Sequence, residues 1–413
     1  MAVTRKVFHL TAGAVMLMFC SLPYSWAMFA APVIRTFGWS AEAVGFTFSM
    51  GLAGFCVGGI VSGILHSRYG IRPVLLSGTL LMTAGFFTLT LMSELLSLYL
   101  GFGGLLCLGA GILYNGALSR TLVLFPGNAG RISGVLLMSF GCGASVIGTL
   151  FSVLDNRFGL RAALGLLGLL ITVVQTVGSL VLTGALRKNI PTAGGKEIRP
   201  DMESAEDPGP VGETGDTFAM LRCPSFWFYF LWTVLLGSAA LIVVGNSAAI
   251  AASLGQGLAV VAFCAGLVSV FNGLGRIVFG WILDVAGSRV TFAAITAVFM
   301  GGSILLYYSA ASLQIVVLII SYGLLGLSYG GVFPCNSAYI RSIFGSRNFA
   351  IHFSIVNMSV LAAGFIGPLL AGPMLRKGGV PASLLMMGMT LAGALCLPGI
   401  RRQMPSKAER KTL

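Results

Sequence analysis

Long apolar runs separated by short polar breaks dominate this chain. Twelve are long enough to cross a bilayer: residues 8–34, 43–65, 73–92, 98–124, 132–154 and 160–186, then 226–252, 259–283, 291–310, 314–339, 349–370 and 382–400. A hydrocarbon core of about 30 Å takes roughly 20 apolar residues as a helix. Backbone N–H and C=O groups in lipid must find partners inside their own segment, so each run predicts a helix. The short alternating segments of a membrane barrel do not occur. The pattern predicts an all-α membrane protein of twelve transmembrane helices in two pseudo-symmetric six-helix bundles. The bundles are residues 1–186 and 224–413, the second with a short tail, joined by a polar linker over 187–223. The linker carries seven of the twelve acidic residues, as suits a solvated connector.

Composition agrees with lipid as the solvent. Hydrophobic residues make up 56% and charged residues 9%, against about 25% charged in a soluble domain. The formal net charge of +13 would suit a nucleic acid if it were gathered on one face. It is distributed by side instead. With the N-terminus inside, 19 of the 25 Lys and Arg fall in cytoplasmic segments or span ends and five on the opposite side, leaving Arg276 well inside an apolar run. Positive residues concentrate on the cytoplasmic side of membrane proteins. Both termini and the linker are therefore expected in the cytoplasm, with the chain in a bacterial inner membrane and no nucleic-acid partner. The first apolar run is too long for a signal-peptide core and reads as a span.

The chemistry-bearing residues narrow the function class. Eight cysteines form no CxxC pair or Cys/His cluster, so neither a metal site nor a disulfide framework is expected. Three separated histidines do not make a membrane enzyme, and no phosphate-cradling G-x-x-x-x-G-K-[ST] loop is present for ATP-driven transport. No cofactor is expected, and the protein is expected to be a monomer and not an enzyme. Small-residue spacings, Gly54-x-x-x-Gly58, Gly59-x-x-x-Gly63 and Gly130-x-x-x-Gly134, suit close helix packing in lipid.

An internal repeat links the halves. Gly63-Ile-Leu-His-Ser67-Arg-Tyr-Gly70-Ile-Arg72 returns as Gly280-Trp-Ile-Leu-Asp284-Val-Ala-Gly287-Ser-Arg289, offset by 217 residues. A second echo pairs Gly111-Ile-Leu-Tyr114-Asn-Gly116 with Gly326-Leu-Ser-Tyr329-Gly-Gly331. Two parallel six-helix halves with a site between them is a known transporter plan.

The repeated loop resembles the G-x-x-x-D-R-x-G-R-R signature of the major facilitator superfamily, with Asp284 keeping the acid and Ser67 replacing it. Further stretches resemble the oxalate/formate antiporter family, itself related to the monocarboxylate transporters. They are Tyr24-Ser-Trp26-Ala-Met-Phe29-Ala-Ala-Pro32 with Gly38-Trp39-Ser40, Pro224-Ser-Phe226-Trp227, Phe271-Asn-Gly-Leu-Gly-Arg276, Tyr329-Gly-Gly331 and Phe344-Gly-x-x-Asn348-Phe. The resemblance implies a secondary carrier of small organic anions working by alternating access, with monocarboxylates such as formate, lactate or pyruvate foremost. An oxalate or dicarboxylate exchanger and an exporter of hydrophobic compounds are the alternatives.

Arg276 is the sharpest candidate site residue. A cation within a span is costly and usually faces a cavity and a partner. None of the twelve acids sits in the middle of an apolar run, and a guanidinium fork suits a carboxylate. The resemblance likewise implies a carboxylate-binding base in the eighth helix at Arg276. It implies a second base, a lysine, in the eleventh, where this chain has Val360. One fixed cation suits a monocarboxylate better than a dianion.

The resemblance also implies an aromatic pocket of Tyr24, Tyr114, Tyr329 and Phe333, with Asn357 facing it. Asn115 and Asn336 are plausible polar liners, against the competing account of hydrogen bonding between helices. His352 titrates in the range of a proton relay, against an interfacial capping role. Asn272, one turn before Arg276, cannot take up a proton. Asp284 with Arg289, Arg68 and Arg72 reads as a conformational latch.

Overall fold

The computed structural model describes residues 2–125, 128–187, 217–252, 258–345, 348–375 and 379–400. Most of the linker and the C-terminal tail, with Arg347, Arg376 and Lys377, lie outside the described residues. Among the described residues there is no strand.

The helices are α1 (Ala2–Phe19), α2 (Leu22–Phe37), α3 (Ala41–Tyr69), α4 (Ile71–Thr90), α5 (Leu95–Leu98), α6 (Cys107–Val123), α7 (Ala129–Phe158) and α8 (Leu160–Arg187). There follow α9 (Thr217–Arg222), α10 (Pro224–Ala252), α11 (Leu258–Ser312), α12 (Ile315–Phe344), α13 (Phe349–Leu375) and α14 (Gly379–Cys396). A π-helical stretch, Tyr99–Leu106, joins α5 to α6 and completes the fourth apolar run.

Two departures from one helix per run have local causes. The first run is two helices, broken at Cys20 and Ser21, because Pro23 stands in the first turn of α2. Proline has no N–H to donate to the preceding turn, so it starts a helix readily and interrupts one at a cost. The second departure is α11, where the eighth and ninth runs join without a gap. Among the described residues, eleven helices are long and apolar enough to cross a membrane, but one of them, Gly266–Ser312, has 47 residues. At about 1.5 Å per residue that is roughly 70 Å, more than twice a bilayer core. It bends at Gly287 and counts as two, which restores twelve crossings.

Gly287 has φ +77° and ψ 174°, and Gly70 has φ +78° and ψ −179°. The two positions are the same glycine of the repeat, 217 residues apart. Only glycine adopts this backbone readily, so the repeated motif encodes the same reversal twice. Elsewhere the ends are conventional, with Ser40 capping α3 by accepting from Ala43 N at 3.2 Å.

Close contacts divide the chain into two compact units. One comprises Met1–Pro126, Ser139–Asp207 and Ser346–Ser354; the other comprises Gly127–Met138, Pro208–Gly345 and Ile355–Leu413. Each unit thus takes a short stretch from the opposite half of the sequence, one at the start of α7 and one at the start of α13.

Candidate functional site

In the second unit, one face of α11 presents Arg276, Gly280 and Asp284 at four-residue spacing. Residues four apart lie one above another on a helix. The start of α7 runs along this stripe. At one end Asp284 accepts from the main-chain N–H groups of Gly130 at 2.9 Å and Arg131 at 2.8 Å. The Arg131 guanidinium stands 3.8 Å from the same carboxylate. A carboxylate on the unsatisfied N–H groups of a helix start is favourable both as a cap and against the helix dipole. In the middle, Gly280 meets the Gly130 carbonyl, and Gly134 meets the main chain of Arg276 and Ile277. A methyl group at any of these glycines would strike backbone, so the small residues permit the approach.

At the other end stands Arg276, 7% exposed. Its Nη1 donates to the main-chain carbonyl of Leu137 on α7. Its Nη2 donates to Asn272 Oδ1 at 3.1 Å, one turn earlier on α11. The guanidinium carbon lies 4.6 Å from the centre of the Phe333 ring, a cation–π contact. Tyr329 packs on Phe333 at 5.2 Å and 66°. Carbonyl, amide and ring are all neutral, so these three groups orient the cation without discharging it. Of the sequence candidates, Arg276, Tyr329 and Phe333 are therefore brought together, with Asn272.

Tyr24 and Tyr114 belong to the first unit and meet through Phe140, at 5.7 Å and 4.8 Å. Tyr114 also packs on Phe55 at 5.2 Å and on Phe353 at 6.2 Å. It is buried, whereas Tyr24 is 44% exposed.

The asparagines differ from the aromatics. Asn115 on α6 is 1% exposed and places its amide against the carbonyls of Gly59 and Ala350 and the Ser354 hydroxyl, at 2.8, 2.8 and 2.7 Å. Asn336 on α12 is fully buried; its Oδ1 accepts from Tyr229 at 2.8 Å and its Nδ2 donates to Asn357 Oδ1 at 3.1 Å. Both amides are engaged between helices, the competing account that the sequence left open. Asn357 is half-buried beside Asn336. His352 is 1% exposed, one turn into α13, with its main-chain N–H on the Asn348 carbonyl at 3.0 Å.

Arg131 is an ion-pair partner of Asp284. Arg289, Arg68 and Arg72, expected with Asp284 as a conformational latch, are exposed. The reversal at Gly287 carries Arg289 onto the next arm of α11, whereas Arg131 sits in the very turn of α7 whose amides the carboxylate caps. Sequence reasoning missed Arg131 and the Leu137 carbonyl. The small-residue pair Gly130 and Gly134 was the available signal for the first; a main-chain carbonyl leaves no sequence signal. It also missed Asp155, which binds Arg35 Nη2 at 3.0 Å and ties the end of α2 to the end of α7.

Comparison with known proteins agrees with this architecture. The family model of the Major Facilitator Superfamily matches residues 12–312 and 232–412. The chain is 26% identical to the oxalate:formate antiporter of Oxalobacter formigenes over 381 residues, 89% of this chain and 85% of that protein. It is 24% identical over 336 residues to the uncharacterized MFS-type transporter YhjX of Escherichia coli K12, 81% and 79% of the two chains. It is 25% identical over 350 residues to monocarboxylate transporter 13 of Bos taurus, 84% and 77%. Among solved structures, the transporter FucP in an outward conformation superposes with a TM-score of 0.69 at 14% identity, covering 97% of this chain and all of that one.

Proposed function

The chain belongs to the Major Facilitator Superfamily, and we propose that it is a secondary carrier of small organic anions, foremost monocarboxylates such as formate, lactate or pyruvate. The observation that carries this reading is the guanidinium of Arg276, buried in a span and oriented by the Leu137 carbonyl, the Asn272 amide and the Phe333 ring. A cation within a span is costly, and such residues mark substrate and ion pathways. A carboxylate fits the fork with two parallel hydrogen bonds. Tyr329 and Phe333 then form the apolar wall beside the anchor, with Asn357 as a further contact; Tyr24 and Tyr114 gather around Phe140 in the first unit. Asn115 and Asn336 act at one remove, by fixing the helices that carry these side chains.

With Val360 where a second base would stand, a single charge is the preferred load. Oxalate exchange is the second reading, favoured by the similarity to an oxalate:formate antiporter. Both termini and the 187–223 linker would lie on the cytoplasmic side, the protein cycling by alternating access as a monomer.

The experiment is uptake by proteoliposomes, with formate, acetate, lactate, pyruvate and oxalate outside and a counter-anion trapped inside. Wild-type protein is expected to exchange one or more of the monocarboxylates. Arg276→Ala is expected to lose at least 100-fold in anion affinity yet remain folded, and Arg276→Lys to retain part of the activity, keeping the charge without the fork. Near wild-type carboxylate binding by Arg276→Ala would overturn the anchor.

A further inference from the structure

In the second unit, α12 steadies a second polar group close to the one it gives Arg276. The Phe333 ring lies 4.6 Å from the guanidinium carbon. Asn336 follows one turn later on α12, and residues three apart on a helix are neighbours. Its amide is fixed from both sides. Tyr229 on α10 donates its O–H to Asn336 Oδ1 at 2.8 Å, and Asn336 Nδ2 donates to Asn357 Oδ1 on α13 at 3.1 Å.

The direction of this chain follows from its buried end. Tyr229 is fully buried, and Asn336 is its one hydrogen-bond partner among the described residues. A buried O–H without an acceptor costs more than an unused lone pair, so the phenol donates. The ring is held in place, stacked on Tyr339 at 4.1 Å and 21°. Tyr339 in turn pairs its hydroxyl with Ser225 Oγ at 2.9 Å. With its oxygen taken by Tyr229, Asn336 has only N–H to offer Asn357. Asn357 must answer with its oxygen, which leaves its own Nδ2 facing away from Asn336. Asn357 is half-buried, and that Nδ2 finds no acceptor among the described residues. A donor left so within a span is costly unless it faces a polar cavity or a load.

We infer that Asn357 is a neutral second donor to the anion held by Arg276, and that Tyr229, acting through Asn336, sets its polarity. This rests on the reading of Arg276 as the carboxylate anchor. A carboxylate offers about four lone-pair sites, and a guanidinium fork takes two of them, so an acceptor remains for an amide N–H. A reversed Asn357 would turn its oxygen to the anion and repel it. One turn later α13 carries Val360, so the donor strengthens an anion site without adding a second cation. Tyr229 is a positioning residue and touches no anion.

The test is a double-mutant cycle on the purified full-length protein. Binding of sodium formate, sodium lactate and sodium oxalate is measured by calorimetry, alongside the thermal denaturation midpoint. Asn357→Ala and Tyr229→Phe are each expected to bind the anion that the wild type prefers about three- to tenfold more weakly. In the double variant Tyr229→Phe is expected to cost no further affinity, because no amide remains to be oriented. Asn336→Leu cuts the relay at its middle member and is expected to show the same loss and the same non-additivity, should Tyr229→Phe not fold. A purely structural role for Tyr229 would instead lower the midpoint and leave its effect on affinity unchanged by Asn357→Ala.

Arg276→Ala in the same assay separates the two readings. Loss of binding there, with wild-type affinity in Asn357→Ala, keeps the anchor and rejects the second donor. Weaker binding by Asn357→Ala, with losses that multiply in the double variant or wild-type affinity in folded Tyr229→Phe, keeps the donor and rejects the relay. Retained binding in Arg276→Ala, or no carboxylate bound by the wild type, rejects the anchor and the relay with it.

Discussion

The two copies of the repeat are built on one backbone plan and carry different chemistry. On α11 the stripe reads Arg276, Gly280 and Asp284; 217 residues earlier, on α3, it reads Gly59, Gly63 and Ser67. Each stripe receives the start of a helix at its middle glycine. Gly280 meets the main chain of α7, and Gly63 meets the main chain of Ile351 on α13. The ends differ. The α11 copy places an acid on the amides of α7 and a guanidinium on the Leu137 carbonyl. The α3 copy has Ser67, whose hydroxyl donates to its own helix at Ile64 at 2.9 Å, and glycine at position 59. Its polar link comes from a third helix instead, where Asn115 reaches Gly59, Ala350 and Ser354. Close approach by glycine is thus the shared property, and charge is an addition to one copy. The copy with charge is the one that holds the candidate anchor.

The shared property predicts the largest effects. Valine at Gly63 places its Cβ 2.7 Å from the Ile351 nitrogen and 2.8 Å from its Cα, and valine at Gly280 strikes the Gly130 carbonyl. Overpacking of this kind costs about 1–3 kcal/mol, occasionally more. Gly63→Val and Gly280→Val are expected to lower the thermal denaturation midpoint in detergent by similar amounts and to reduce transport. A loss confined to one of them would break the equivalence of the copies. The next effect distinguishes them. Asn115→Leu leaves buried acceptors on Gly59 and Ala350 without their amide donor, at about 1–3 kcal/mol. The same assay is expected to show a clear drop with anion affinity nearly unchanged, because Asn115 touches helices. A large fall in affinity with wild-type stability would return Asn115 to the pocket.

Much of this was legible in the sequence, and the limit is physical. Length and hydropathy specify the spans because lipid imposes one solution on an apolar run. The repeat was legible because its glycine at 70 and 287 has a backbone requirement that no other residue meets easily. Arg276 stood out because charge in a span is expensive. The break at Pro23 and the bend at Gly287 depend on one residue each, and hydropathy averages over them. Arg131 and the Leu137 carbonyl were illegible for another reason. An arginine beside a glycine pair looks like any loop cation until the partner helix is in place, and a carbonyl belongs to every residue. The asparagines fell in between, since polarity in a span announces a hydrogen bond without saying whether a helix or a ligand receives it.

The smallest prediction rebuilds the missing charge. Ser67 stands where the second copy has Asp284, and its exposed side chain is not engaged with another helix in the contact described. Ser67→Asp supplies a carboxylate beside the start of α13, which begins at Phe349 and already touches α3 through Ile351. If the copies share a backbone plan, that carboxylate meets the first amides of α13 as Asp284 meets those of α7. Such a placement contributes about 0.3–1 kcal/mol when exposed and up to about 2 kcal/mol when partly buried. The expected outcome is a small rise in the denaturation midpoint and slower hydrogen exchange over residues 348–354, both diminishing as salt is raised. Transport should slow modestly, because a second helix start is then held by charge. Unaltered exchange over 348–354 would mean that the copies differ in backbone placement as well as in side chains, and the comparison would then hold only at the glycines.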